Sequence, residues 1–339
     1  MIYLIFCTSV ICLSFLLTAG LRRYALAKSI IDIPNARSSH SLPTPRGGGV
    51  AIVVAFALAV PLLVWAHILP WRDALGLLGP GLAVALIGFM DDHGHIAARW
   101  RLLGHFSASC AALVCLGGLP AIQFGEQVIS LGWLGLVLAA FYLVWMLNLY
   151  NFMDGIDGIA SVEAVSVCLG GSALYLLAGK SDLAITPLVL ALSVSGFLLW
   201  NFPPAKIFMG DAGSGFLGMV LGVLSLQAGW VSSELLWGWL ILLGVFIVDA
   251  TFTLLRRLCR GEKVYEAHRS HAYQFASRKH GAHRPVTLTV LAINILWLLP
   301  ISVAVVGLHW NGFFSLLFAY TPLVVIAAMY HAGQPERSA

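Results

Sequence analysis

The sequence predicts an all-α, polytopic membrane protein, a single domain of about eleven transmembrane helices. Three observations carry this expectation. Of 339 residues, 60% are hydrophobic and only 10% are charged, whereas a soluble domain carries about 25% charged residues. The apolar residues gather in runs near the roughly 20 residues that cross a bilayer. With the amino end placed outside, all 19 lysines and arginines except Arg72 and Lys180 fall in alternate loops on the inner side, as topology control by basic residues requires.

The expected spans are residues 2–21, 49–69, 75–90, 102–119, 131–147, 159–177, 183–200, 216–230, 235–255, 286–308 and 312–330, the third and eighth being short. The first run has no basic residue ahead of it and Arg22 and Arg23 behind it, the reverse of a signal peptide. We therefore expect a retained helix with a periplasmic amino end and a cytoplasmic carboxyl end. The cysteines (Cys7, Cys12, Cys110, Cys115, Cys168 and Cys259) form no Cys-x-x-Cys pair and read as small packing residues. There is no internal repeat or low-complexity linker, so residues 1–339 read as one domain.

The unusual chemistry sits in the inner loops, residues 22–48, 91–101, 148–158, 201–214 and 256–285. Residues 148–158 hold Asn148, Asn151, Asp154 and Asp157, each aspartate followed by glycine. Asp91 and Asp92 end one apolar run, and Asp211 lies near the start of another with glycines close by. Singly, each reads as a solvated acid at a helix end. Together on one face, five carboxylates repel unless a cation neutralises them. Magnesium, which takes carboxylate, phosphate and water oxygens, suits them. Arg37, Arg46, Arg99, Arg101, Arg269 and Lys206 share that face and suit a diphosphate; control of topology and attraction to anionic lipid explain such residues equally well. His268 and His271, three apart, would share one face of a helix and suit a phosphate better than magnesium. His280 and His283 read as surface histidines. Asp249, inside the ninth span, calls for a buried partner. The implied partners are membrane and phosphate-bearing substrates, not nucleic acid.

These loops resemble those of the polyprenyl-phosphate N-acetylhexosamine-1-phosphate transferases, glycosyltransferase family four. The shared features are Asp-x-Pro-Asn-x-Arg-x-x-His from Asp32, Pro-Thr-Pro-Arg-Gly-Gly ending at Gly48, and the Asp91–Asp92 pair. They continue with Asn-x-x-Asn-x-x-Asp-Gly-x-Asp-Gly over 148–158, Pro-Ala-Lys-Ile-Phe-Met-Gly-Asp-x-Gly-Ser over 204–214, and a partial histidine motif over 268–271. The matches run in order from Asp32 to Gln274.

The resemblance implies transfer of a sugar 1-phosphate from a UDP-N-acetylhexosamine to undecaprenyl phosphate, with release of UMP. It implies Mg2+ (or Mn2+ in its place), a bacterial inner-membrane location with the site on the cytoplasmic face, and an enzyme that can be a homodimer. Carried over by residue, Asp211 is the principal metal ligand and Asp157 a second. Asp91 and Asp92 act at the lipid phosphate, as a deprotonating pair or nucleophile. A phosphate monoester is largely deprotonated at neutral pH, so direct attack by the lipid phosphate is the preferred course. His268 and His271 join the catalytic set. Asp32, Arg37, Arg46, Arg101, Asn148, Asn151, Asp154, Asp157, Lys206 and Arg269 bind substrate, Asp157 serving at both metal and nucleotide.

Two departures bear on the substrate. The muramoyl-pentapeptide branch has three adjacent histidines, where this chain has His268, Arg269, Ser270 and His271. His105 stands where many members have glutamine. The chain looks most like members that initiate O-antigen synthesis. An ion-coupled transporter is the competing expectation, but transporters carry ionisable groups near the bilayer midplane and show internal repeats.

Overall fold

The computed structural model describes residues 2–34, 42–94, 96–125, 127–262 and 268–335. Every expected apolar stretch is helical. The chain begins with α1 (Ile2–Ala27), then strands β1 (Ile31–Asp32) and β2 (Thr44–Pro45), which pair antiparallel with Asp32 opposite Thr44. Next come α2 (Val50–Trp65), α3 (Trp71–His93) and α4 (Ala98–Leu116), and a hairpin of β3 (Ile122–Phe124) and β4 (Gln127–Ile129). The centre of the chain forms α5 (Gly132–Phe152), α6 (Ile159–Leu177), α7 (Ser181–Asn201) and α8 (Asp211–Val231). It continues through α9 (Ser233–Leu242), α10 (Gly244–Cys259), α11 (Ala272–His280) and α12 (His283–Ile293). A π-turn over Asn294–Leu298 leads into α13 (Leu299–Gly307), and α14 (Gly312–Met329) closes the bundle.

Among the described residues, eight helices are long and apolar enough to cross a membrane, and α9 with α10 makes a ninth if the pair, bent by 68°, is one span. The other two expected spans are helical but differ: α2 has 16 residues, and α4, with Arg99 and Arg101 in its first turn, falls outside the apolar group. The third and eighth spans, expected to be short, are 23 and 21 residues long. The apolar runs stop at charged residues, but the helical backbone continues through them. This puts Asp91 and Asp92 in the last turn of α3 and makes Asp211 the first residue of α8.

The bundle is built around α8. Protein buries 83% of its apolar window, against 17% for α1 and 22% for α14. Without a hydrophobic force between helices in lipid, close backbone approach at small residues drives packing. A Cβ on Gly218 would lie 2.6 Å from Leu147 Cα, so this glycine lets α5 press against α8. Gly88 does the same for α3: a Cβ there would meet the carbonyl carbon of Asp211 at 2.5 Å and the nitrogen of Ala212 at 2.6 Å. These crossings fix how the acids at the ends of α3 and α8 face one another.

A second polar feature lies within the bundle. Glu163 on α6 is fully buried and accepts a hydrogen bond from Asn294 Nδ2 at 2.7 Å. The Phe246 backbone, in the first turn of α10, is bonded to the same carboxyl. A helix that restarts after a break has unbonded N–H groups in its first turn, and Glu163 supplies an acceptor there. The π-turn begins at Asn294, consistent with its side chain being drawn toward this pair.

Candidate functional site

The acidic loops converge on one cavity of about 250 Å3, lined by Asp32, Arg46, Asn151, Asp154, Asp157, Asp211, Gln274 and His283 among others. Its construction starts with backbone pairing. Phe208 N–H donates to Pro45 O (2.8 Å), Gly48 N–H to Phe208 O (2.9 Å) and Gly49 N–H to Met209 O (2.8 Å). This short ladder lays the Arg46 loop along the segment entering α8. Arg46 then forms ion pairs with Asp92 and, at 3.0 Å, with Asp211. Desolvation pulls the Arg46 pKa down, but Asp92, Asp211 and Asp32 outweigh it and hold the guanidinium above its ordinary value.

Asp92 also accepts the N–H groups of Asp211 (3.2 Å) and Ala212 (3.4 Å). It therefore caps the amino end of α8, where the helix dipole favours negative charge. Asp91 points elsewhere: it pairs with Arg101 and accepts Ile96 N–H at 2.8 Å. Asp91, Arg101, His105, Asn148, Asn151 and Asp211 line a second cavity of about 20 Å3, room for about one water. Asn148 Nδ2 donates to Val144 O at 2.7 Å, and Asn151 Oδ1 accepts from Ser214 Oγ at 3.2 Å.

Asp154 sits between these groups. Desolvation, then Asp211, with Asp157 and Asp92 adding to it, raises its pKa well above the carboxylate range, against the pull of Arg46. A carboxyl pressed in this way by three acids marks a place where added positive charge is stabilised. Asp157 has a partner at each carboxylate oxygen. Its Oδ2 accepts Ala205 N–H at 3.0 Å, and its Oδ1 lies 3.1 Å from His283 Nδ1. Asn201, at the end of α7, ties the neighbouring loops: its Oδ1 accepts Gly158 N–H (3.1 Å) and Ser161 Oγ–H (3.2 Å), and its Nδ2 donates to Ile207 O (3.1 Å).

The other expected site residues lie around the cavity. Lys206 is placed over the Trp200 ring, 5.4 Å from its centroid, and does not line the cavity. Arg101 borders the smaller cavity only. Arg269 accepts a hydrogen bond from Arg278 through its carbonyl. Arg37 lies outside the described residues. His268 and His271 do not share a helix face: His271 precedes α11 as its cap, and His268 stacks on it at 4.9 Å between ring centroids. Neither lines the cavity, although Gln274 beside them does; Tyr273 donates to Phe152 O at 2.9 Å.

Asp249 holds this histidine segment in place. It accepts Ala272 N–H (2.9 Å), Tyr273 N–H (3.1 Å) and Thr253 Oγ–H (3.2 Å), with His271 Nδ1 at 3.4 Å. The buried partner it called for is thus the amino end of α11. The chain end contributes as well: Gly333 N–H donates to Ser270 O at 2.6 Å, and Arg256 Nη1 to Ala332 O at 3.1 Å. Sequence reasoning passed over His283 and Asn201. Asn201, an amide at the end of an apolar span, carried a local signal; His283 carried none, because its partner Asp157 is 126 residues away.

Residues 74–229 match the model of glycosyl transferase family 4. The chain is 28% identical to a probable undecaprenyl-phosphate N-acetylglucosaminyl 1-phosphate transferase of Bacillus subtilis, over 92% of this chain and 87% of that protein. It is 29% identical to a decaprenyl-phosphate N-acetylglucosaminephosphotransferase of Mycolicibacterium smegmatis, over 84% and 78% of the two chains. It is 34% identical to a phospho-N-acetylmuramoyl-pentapeptide-transferase of Moorella thermoacetica, over 63% of this chain and 69% of that one.

Proposed function

The chain belongs to glycosyl transferase family 4, and from that premise we propose that it moves an N-acetylhexosamine 1-phosphate from a UDP-sugar to undecaprenyl phosphate at the cytoplasmic face of a bacterial inner membrane. The observation that carries this reading is the convergence of Asp92, Asp154 and Asp211 on Arg46 beside one cavity at the end of the helix bundle. A lipid acceptor reaches such a place from the bilayer and a nucleotide sugar from the cytosol. The relatives named for polyprenyl phosphate and N-acetylglucosamine support the same chemistry. A transporter is not favoured, because the acids gather at one end of the bundle.

In the reaction, an oxygen of the lipid phosphate attacks the sugar-linked phosphorus of the donor. The bond from that phosphorus to the bridging oxygen breaks, UMP leaves with the bond's electrons, and a lipid-linked sugar diphosphate remains. Arg46 is the cation shared by Asp92 and Asp211, and its fork suits a diphosphate oxygen pair. Asp91, held by Arg101 and Ile96 N–H, and Asp92, fixed on the end of α8, orient the approach of the lipid phosphate.

The donor set fits magnesium. It consists of carboxylate and amide oxygens, and the raised Asp154 calls for added positive charge. Among the described residues no three His, Cys, Asp or Glu side chains are grouped to hold a metal ion, so an ion here would take its other ligands from water and substrate phosphate. Asp211 is the side chain we assign to it. Asp157, the second ligand implied by the resemblance, already has a protein partner at each oxygen and suits the nucleotide better. When bound, the ion would draw charge from the diphosphate.

His268, Arg269, Ser270 and His271 in place of three adjacent histidines support a role outside peptidoglycan synthesis, and we assign the chain to O-antigen initiation. Purified protein given undecaprenyl phosphate, Mg2+ and a panel of UDP-GlcNAc, UDP-FucNAc and UDP-QuiNAc should release UMP with at least one donor. Absence of turnover across a panel of UDP-N-acetylhexosamines would sink the transferase reading.

A further inference from the structure

The acid-lined cavity opens beside a wider cleft of about 580 Å3. Asp157, Phe208 and His283 line both spaces and so form the boundary between them. The wider cleft adds Pro203, Pro204 and Arg284, with the Arg284 guanidinium 5.9 Å from the Phe202 ring centroid. The prolines give it apolar walls and Arg284 with Arg278 gives it positive charge, unlike the acids next door.

The chain secures Asp157 here from two elements. From α12, His283 Nδ1 accepts Asp157 N–H at 3.3 Å when unprotonated and, when protonated, pairs with Asp157 Oδ1 at 3.1 Å. One turn on, Thr287 Oγ–H donates to Asp157 O at 2.8 Å. From the segment before α8, Ala205 N–H donates to Asp157 Oδ2 at 3.0 Å. Rotation of a carboxylate about its last bond is soft, and one partner leaves its plane free to turn. Two partners, one per oxygen, fix the plane. The His283 and Asp157 side chains are 15% and 14% exposed, so an entering group still reaches the remaining lone pairs.

Those lone pairs accept hydrogen bonds and repel phosphate oxygens. A nucleobase and a ribose carry N–H and O–H donors, whereas a diphosphate carries none once ionised. We propose that His283 is a positioning residue for the nucleotide half of the donor: with Ala205 N–H it sets the plane of the Asp157 carboxylate so that its free lone pairs meet the base or ribose. This rests on the transferase reading above and adds to it the residue that shapes nucleotide recognition.

The test compares His283→Asn, His283→Gln and His283→Ala in the full-length protein, each checked for an unchanged melting temperature. Asn places an amide near the position of Nδ1, and Gln near that of Nε2. Calorimetric titration with UMP in the presence of Mg2+ should show about tenfold weaker binding for Ala and Gln, the scale of one hydrogen bond to a charged group. Asn should restore most of the affinity. The KM for the UDP-sugar should follow the UMP affinity, with kcat and the KM for undecaprenyl phosphate little changed. Equal affinities across the three variants and the natural protein would overturn the inference, as would a change confined to the Mg2+ dependence of turnover. If the natural protein neither bound UMP nor released it, the transferase reading itself would fall.

Discussion

Arg46 and Asp211 form an ion pair at 3.0 Å although 165 residues separate them in the chain. The contact joins the loop between α1 and α2 to the amino end of the most buried span, and Asp92 shares the same guanidinium. Asp211→Asn keeps the volume and the capping geometry but removes the charge. Turnover should fall by about 100-fold or more, the scale of losing one preorganised electrostatic group, with a melting temperature close to that of the natural protein. Arg46→Lys should fall about tenfold, because a point charge cannot reproduce the fork. A coupled UMP-release assay on both variants checks this.

Gly88 governs the same geometry from inside the bundle. Gly88→Ala would push a methyl group into backbone atoms of Asp211 and Ala212, which cannot rotate away as a flexible side chain can. We expect α3 to shift against α8, with a loss of about 1–3 kcal/mol in stability and a marked fall in turnover. Gly20→Ala on α1, where the methyl meets nothing within 4 Å, should do neither. Thermal melts and activity assays on the two variants separate a packing effect from a general effect of losing glycine.

Asp249→Ala removes the acceptor for Ala272 N–H and Tyr273 N–H. Each buried donor left unbonded costs about 1–3 kcal/mol. The effect should be local: faster amide hydrogen exchange across residues 271–280, with the spans α6 to α8 unchanged. Exchange measured by mass spectrometry on the natural and variant proteins reads this out directly.

Burial, then His271 and Arg257, lower the His268 pKa from 6.5 to about 3. The folded protein therefore keeps this ring neutral at pH 7, while the unfolded chain takes up a proton near pH 6.5. Between pH 6.5 and 3 the unfolded state binds more protons, so stability falls as the pH is lowered through that window. His268→Gln should flatten this acid-side slope. Unfolding of the two proteins between pH 7.5 and 5 tests it, and identical slopes would count against a neutral buried His268.

What the sequence made legible was set by local pattern. Apolar runs are contiguous, so all eleven stretches could be read, and each is helical. The acids stand at the ends of those runs, so Asp92, Asp154, Asp157 and Asp211 could be named as neighbours before any contact was known. Long-range relations were not readable in this way. Nothing around Leu243 in a continuous apolar run announces the 68° break between α9 and α10. Nothing near His283 distinguishes it from His280, although one stands against Asp157 and the other against Tyr330. Lys206 looked like a phosphate ligand because it is basic and lies in a shared motif, yet its charge rests on Trp200.

The placement of the acids at helix ends, set by the glycine crossings around α8, divides the molecule into a frame and a set of exchangeable parts. Asp91 and Asp92 ride on α3 and Asp211 on α8, so their separation is a property of the bundle. Pro203, the histidine segment leading into α11 and His283 at the start of α12 lie on segments outside those two helices. A change of accepted sugar or nucleotide can therefore arise outside the acid frame, and grafting residues 202–205 or 268–283 from a relative of different preference, with Asn201, Phe208 and Met209 kept, is the direct route to engineering it.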